Sequence, residues 1–263
     1  MQEYAGGKIL AEVRDGAGRV VFNQPEKRNA MSIAMWDGMA EALDAFERDP
    51  SVRCVVLEGA GGRAFVSGAD ISQFEQSRSD AEAQQHYNAT TSAGRTKLAQ
   101  FQKPVIAKIQ GFCMGGGLGI AMSCDLRLAG EGSEFGIPAA KLGIAYGFDM
   151  VRDLLALVGP AEAHMILMTG ERFGAAEALR IGLVNRLVPA EGLEEAVAGL
   201  ARTLADNAPL SLLANKRTVR SVLSAEPDLA DTEAAQRRCF DSDDYREGRR
   251  AFMEKRKPAF TGR

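Results

Sequence analysis

Two short apolar runs set the strongest limit on what this chain can fold into. Cys54-Val55-Val56-Leu57 and Val105–Ile109 are each bounded by turn residues, the pattern of strands buried on both faces. A polar segment of helical composition, residues 80–101, lies between them, and Pro104 stops it. After the second run come Gly115-Gly116-Gly117, a predicted helix to Cys124 and a strand near Leu126–Leu128. The order strand, helix, strand, loop, helix, strand predicts a mixed α/β core with helical crossovers.

The flanks extend this core at both ends. Ile9–Val13 and Arg19–Phe22, split by Asp15-Gly16-Ala17-Gly18, read as a hairpin. Ser32 precedes a helical period of Met35, Trp36, Met39, Leu43 and Phe46, which Asp49-Pro50 ends. Beyond about residue 150 strand signals thin out. Helices are predicted over 151–158, 161–169, 175–181, 193–206, 209–223 and 229–240, with Pro160, Pro189, Pro209 and Pro227 as breaks. The expected division is an α/β core over 1–200 and a helical region over 201–263.

Composition excludes several classes of function. Lys+Arg total 32 against Asp+Glu 35, a formal net charge of −3, which argues against a general nucleic-acid binder. The N-terminus has no cationic start followed by an apolar run, and no stretch approaches the roughly 18 apolar residues of a membrane span. Cys54, Cys113, Cys124 and Cys239 form no CxxC pair, and two histidines supply no zinc spacing, so no metal is expected. Three of the cysteines sit in apolar or Gly-rich runs, which points to a reducing cytosol.

Two Gly-rich segments could carry chemistry. One is Gly61-Gly62-Arg63-Ala64-Phe65-Val66-Ser67-Gly68-Ala69-Asp70-Ile71; the other is Gly111 to Gly119, right after a buried strand. Consecutive glycines let a backbone turn sharply and let a ligand approach without a Cβ in the way. A helix starting there would aim free N–H groups at one spot. One such N–H from each loop would make an oxyanion hole for an enolate. The plainer reading, a tight turn packed on a strand, accounts for the glycines equally well. Neither segment has the spacing of a dinucleotide fingerprint or a P-loop.

Taken in order, these segments resemble the crotonase (enoyl-CoA hydratase/isomerase) superfamily across nearly the whole chain. Asn23-Gln24-Pro25-Glu26-Lys27-Arg28-Asn29-Ala30-Met31 resembles its NxPxxxNAM segment. Ala64–Ile71 resembles its AFxxGAD loop and Gly111–Gly117 its GxxxGGG turn. Leu142-Gly143-Ile144, Gly182-Leu183-Val184-Asn185 and the tail Glu247–Pro258 continue the match. The resemblance implies a spiral of ββα units followed by helices that trimerise the protein, as a homotrimer or a dimer of trimers. It implies an acyl-CoA substrate, with coenzyme A part of that substrate and no covalent cofactor, and a place in fatty-acid metabolism. By position, the oxyanion-hole amides would be those of Ala69 and Gly116. The coenzyme would run along Lys27, Ala30 and the loop Ala64, Gly68, Ala69, Asp70 and Ile71, with Asp70 ordering the loop. Phe252 and Lys255 match a Phe and a Lys that the family sets near the coenzyme of a neighbouring subunit. A solvated basic tail is the plain alternative for Arg256, Lys257 and Arg263.

The chain departs from the family where a hydratase needs its acid and base. Hydratases carry two glutamates, at positions that are here Gly119 and Ala139; other members carry an aspartate where this chain has Gly147. Hydration needs one group to deprotonate water and one to protonate the α-carbon, and glycine and alanine do neither. Small residues at 119 and 139 are expected to leave room for a bulkier acyl group. Tyr146 and Asp149 are the nearest replacements. Tyr146 lies in a Leu-Gly-x-x-Tyr run similar to that of the family's methylmalonyl-CoA decarboxylases, although those enzymes have a histidine where this chain has Ala69. Asp149 also reads as the N-cap of the next helix. His86 is expected to be solvated, Tyr87 to lie over the acyl end, His164 to be structural and Asp125 to pack. Ser67, Ser123 and Cys113 have no nearby base. Two functions follow: an acyl-CoA enzyme working through an enolate by isomerisation, decarboxylation or other acyl-CoA lyase chemistry, or a non-catalytic acyl-CoA-binding protein of the same fold.

Overall fold

The computed structural model describes residues 1–70 and 81–263; Ile71 lies outside them. The first hairpin pairs β1 (Gln2–Tyr4), β2 (Ile9–Arg14) and β3 (Ala17–Phe22) antiparallel. Its turn is tighter than the sequence suggests. Arg14 pairs with Ala17, leaving only Asp15 and Gly16 in the loop, at φ 50° and 77°. Two consecutive left-handed residues match the right-handed twist of the flanking strands, and Asp-Gly is a favoured pair for that.

From β3 onward the chain repeats one unit. β4 (Cys54–Gly59) enters the main sheet, β5 (Ala64–Val66) enters a second sheet, and α2 (Ala81–Gln100) follows. β6 (Val105–Ile109), β7 (Phe112–Met114) and α3 (Gly116–Ser123) do the same. So do β8 (Leu126–Gly130), β9 (Glu134–Gly136) and α4 (Phe148–Thr169). β10 (Arg172–Gly174), α5 (Ala175–Arg180) and β11 (Arg186–Val188) close the two sheets. The main sheet is seven-stranded in the order β1-β2-β3-β4-β6-β8-β11, parallel from β3 on; the second is four-stranded, β10-β9-β7-β5. This is the spiral of ββα units.

The second sheet was not legible as strands, because each of its members is only three residues long. No periodicity can be read over three residues. What holds them is burial: Phe65, Val66, Cys113 and Phe135 are fully buried between the sheets.

Helix α1 (Ile33–Arg48) is capped by Ser32, whose Oγ accepts the Met35 N–H, and it buries Met35, Trp36, Met39, Leu43 and Phe46 as its period predicts. The opposite face of the main sheet carries α6 (Leu193–Asp206), with Leu193, Val197, Ala201 and Leu204 against Cys54, Val56, Ile106 and Leu128. That helix runs through residue 200, so packing on the sheet continues to Leu204. Arg19 of β3 donates to Glu58 of β4 at 2.7 Å and to Glu194 of α6, which Lys108 of β6 also contacts, tying α6 to two strands. The remaining helices are α7 (Pro209–Val222), α8 (Leu229–Asp241) and α9 (Asp243–Met253). The break expected at Pro160 is a kink inside α4, where Gly159 has φ 74°. No helix among the described residues is long and apolar enough to cross a membrane.

Asn29 joins the first segment to the second sheet. It is fully buried at φ 57°. Its Oδ1 accepts the Gln24 N–H at 3.0 Å, and its Nδ2 donates to the carbonyls of Ala60 (3.0 Å) and Ala64 (2.8 Å). Asparagine tolerates the left-handed region better than other residues with a Cβ. An Asn29→Ala variant leaves those buried groups unpaired and keeps the strained backbone. It is expected to lose about 2–4 kcal/mol of stability, read from urea unfolding midpoints at unchanged m-value.

Candidate active site

The loop after β5 is placed by the segment that Asn29 anchors. Ser67 N–H donates to Arg28 O (3.1 Å), Met31 N–H to Gly68 O (2.8 Å) and Asp70 N–H to Met31 O (2.9 Å). Both neighbours of Ala69 are thereby held, while the Ala69 N–H donates to no other group among the described residues. Lys27 Nζ pairs with Asp70, which is 6% exposed, at 2.9 Å.

The second loop comes alongside. Gly115, at φ 53°, donates its N–H to Gly136 O (2.9 Å) and sits at the N-cap of α3 with no side-chain cap. Gly116 is therefore the first helical residue, and its N–H also donates to no other group among the described residues. Ala69 and Gly116 are half-buried and line one cavity of about 600 Å³.

Adjacent glycines at this turn face opposite surroundings. A Cβ built on Gly117 would lie 2.1 Å from Val66 O, a contact the backbone forbids. A Cβ on Gly116 would meet nothing within 4 Å. Packing therefore explains Gly117 and leaves Gly116 open toward the cavity.

The cavity's other wall comes from the residues around the start of α4 and from α2. Tyr146 and Asp149 line it, as do Ala139, Gly147, Met150 and, from α2, Tyr87. The Tyr146 hydroxyl stands over the glycine turn, 3.4 Å from where a Gly115 Cβ would be. Asp149 does not cap its helix. The N-cap is Gly147, and Asp149 sits in the first turn, where a carboxylate also favours the helix dipole, 3.2 Å from Arg152.

The expected empty space at position 119 is absent. A Cβ on Gly119 would lie 2.9 Å from Met150 Cε and 3.4 Å from Arg95 Cδ. These two side chains crowd the first carbon of any side chain at 119, and the nearest atom is the flexible end of Met150. Ala139 is the position that opens on the cavity.

Arg95 was missed by sequence reasoning because it lies on a polar helix that reads as solvated. The signal was its spacing: Tyr87, Thr91 and Arg95 recur at four residues, and all three line the cavity. Burial holds the Arg95 guanidinium below its ordinary value, opposed by the nearby Asp149, Asp153, Tyr146 and Tyr87.

Several expected positions lie elsewhere. Ala30 and Ala64 are buried in the core, and Ala64 offers its carbonyl to Asn29. Phe252 is in the last turn of α9, 83% exposed, and lines a separate cavity between α7, α8 and α9. Lys255 is exposed, past the helix end, at φ 53°. His86 and His164 are exposed, so His164 has no core role. Asp125 packs: it accepts from Val105 N–H and Lys216 Nζ, both at 2.8 Å. Burial raises the thiols of Cys54 to about 11 and Cys124 to about 12 and raises Cys113 as well, which disfavours a thiolate nucleophile. Among the described residues no group of His, Cys, Asp or Glu could hold a metal ion.

A family model described as enoyl-CoA hydratase/isomerase matches residues 12–263. The chain belongs to the enoyl-CoA hydratase/isomerase family. A short-chain-enoyl-CoA hydratase of Clostridium acetobutylicum is 35% identical over 251 residues, 95% of each chain. A solved enoyl-CoA hydratase/carnithine racemase from Magnetospirillum magneticum superposes with TM-score 0.93 at 34% identity, covering 97% of this chain and 96% of its own. The Bacillus anthracis enoyl-CoA hydratase gives 0.89 at 28% identity, covering 97% and 100%. The chain is thus an acyl-CoA enzyme of this family with a crotonase-type fold.

The glycine turn makes a sharp test of the geometry. Gly116→Ala is expected to unfold within about 0.5 kcal/mol of the parent, whereas Gly117→Ala should lose more than about 2 kcal/mol or fail to fold. Thermal and urea unfolding of the two variants side by side measure the difference.

Proposed function

We propose that this enzyme stabilises the enolate of an acyl-CoA thioester between the amides of Ala69 and Gly116, and that simple hydration is not its reaction. The observation that carries this reading is the pair of undonated amides facing one cavity, with Gly119, Ala139 and Gly147 at the positions that resemblance assigns to acids and bases. Each amide aimed at an oxyanion contributes about 10²–10³ in rate. That is enough to make decarboxylation of a malonyl-type thioester the most economical chemistry. The C–C bond to the carboxylate breaks, its electron pair becomes the enolate, carbon dioxide leaves, and the α-carbon takes a proton from water. No general base is required. Tyr146, over the turn, donates a hydrogen bond to the enolate oxygen or to the departing carboxylate. Isomerisation would need a proton relay, for which Tyr146 and Asp149 are the available groups.

The coenzyme then runs past Lys27, Ala30, Ala64, Gly68 and the 69–71 loop, with Phe252 and Lys255 serving a neighbouring subunit of a homotrimer or dimer of trimers in the cytosol. On this division residues 1–200 bind the thioester and 201–263 assemble the oligomer. A non-catalytic acyl-CoA-binding protein is the second reading, favoured by the same three non-ionisable positions.

Crotonyl-CoA separates these readings from an ordinary hydratase. Binding is expected without appreciable loss of the conjugated thioester absorbance; robust hydration would overturn the proposal. For a malonyl-type substrate, Gly116→Pro is expected to lose about 10²-fold or more in turnover, since proline is tolerated at a first helical position and removes only the N–H. A Tyr146→Phe variant with unchanged turnover removes Tyr146 from the mechanism. Binding with no turnover on any thioester leaves the carrier reading.

A further inference from the structure

Helix α2 leans hard on α1 at Gly94, where a Cβ would lie 2.4 Å from Trp36 Cε3. That close approach seats the next residue, Arg95, in the cavity wall beside Thr91 and Ser92. Its stem packs on Gly119, one helical turn beyond Gly116 or about 4.5 Å along the axis. The guanidinium therefore belongs to the acyl end of the cavity, past the proposed oxyanion amides.

The two buried arginines among the described residues are engaged by protein groups. Arg19 holds Glu58 and Glu194, and Arg127 donates to the carbonyls of Leu183, Ala121 and Cys124. Arg95 makes no hydrogen bond and no ion pair among the described residues. The nearest carboxylates are turned to another cation: Arg152 pairs with Asp149 at 3.2 Å and with Asp153 at 2.9 Å. Arg95 is half-buried and its nitrogens stay open to the cavity, so its five N–H donors in a planar fork are available to a ligand there. A carboxylate satisfies two of them at once.

We infer that Arg95 receives a second carboxylate carried on the acyl chain, so the substrate class is a dicarboxylic acyl-CoA. The inference rests on the acyl-CoA reading above and narrows it. A guanidinium in place of a glutamate reverses the sign of the charge at this wall, which favours an anionic acyl end and gives nothing to a neutral enoyl chain.

The test is binding of malonyl-, succinyl- and glutaryl-CoA against propionyl-, butyryl- and pentanoyl-CoA, by isothermal titration with the full chain. At least one carboxylated thioester is expected to bind about tenfold or more tighter than its length-matched neutral partner. Arg95→Gln should abolish that preference while leaving the neutral thioesters unchanged. Arg95→Lys, which keeps the charge and loses the fork, should retain part of it. Equal binding of charged and neutral thioesters by the parent, or a preference that survives in Arg95→Gln, overturns the assignment while the acyl-CoA reading stands. If no thioester binds, the acyl-CoA reading falls and this inference with it.

Discussion

Three hydrogen bonds from one buried side chain hold the reaction cleft together. Asn29 ties the turn at Gln24 to the carbonyls of Ala60 and Ala64, on either side of the start of β5. Met31, two residues on, then bonds both flanks of Ala69. The chain between Asn23 and Met31 thus acts as a clasp: it fixes where β5 ends and which way the Ala69 amide faces. Gly59 belongs to the same arrangement, since a Cβ there would lie 2.1 Å from Ala64 O and 2.7 Å from Asn29 Nδ2. Without that clasp the loop after β5 would retain few backbone partners, and Ala69 would lose its place in the cavity wall that it shares with Gly116.

The glycine turn supplies the second amide by a different means. Gly115 takes a left-handed conformation, and Gly117 lets α3 touch the carbonyl of Val66, so the first turn of the helix is pressed onto β5. Gly116 sits between two residues that the fold constrains and is itself constrained by nothing within 4 Å of its Cβ direction. A position that has room for a side chain yet borders a cavity on its open face is where a ligand, not the fold, would feel a substitution. The enolate reading draws its support from that contrast, which a list of glycines alone does not contain.

Much of this was legible beforehand, and the reasons for success and failure differ by element. The strands β4, β6 and β8 announce themselves because they are buried on both faces and need unbroken apolar residues. The short strands of the second sheet have no such pattern, since three residues carry no period and their burial comes from the sheets around them. That Ala69 and Gly116 share a cavity wall was legible by resemblance, since both lie in recognisable loops. Asp149 was misplaced by one local rule: a residue before an apolar period reads as a cap, but Gly147 precedes it in extended conformation at φ −70°, ψ 162° and ends the non-helical chain. The volume at position 119 was misjudged for a related reason. A glycine in sequence suggests space, whereas Met150 and Arg95, distant in sequence, fill it in the fold.

That filling bears on what chemistry the cleft can support. A hydratase places carboxylates where water must be held and deprotonated. Here the same wall holds a thioether, a guanidinium and a methyl group from Ala139. Arginine cannot serve as a base near neutral pH, because its guanidinium stays protonated even when buried, and the aspartates near Arg95 favour that protonated state. Asp149 is mostly exposed and pairs with Arg152 at 3.2 Å. On the proposed reading the cleft stabilises negative charge at two places, at the amides and at Arg95, and moves protons at neither. On that reading a reaction that generates its carbanion by losing a neutral fragment asks less of such a site than one that must extract a proton.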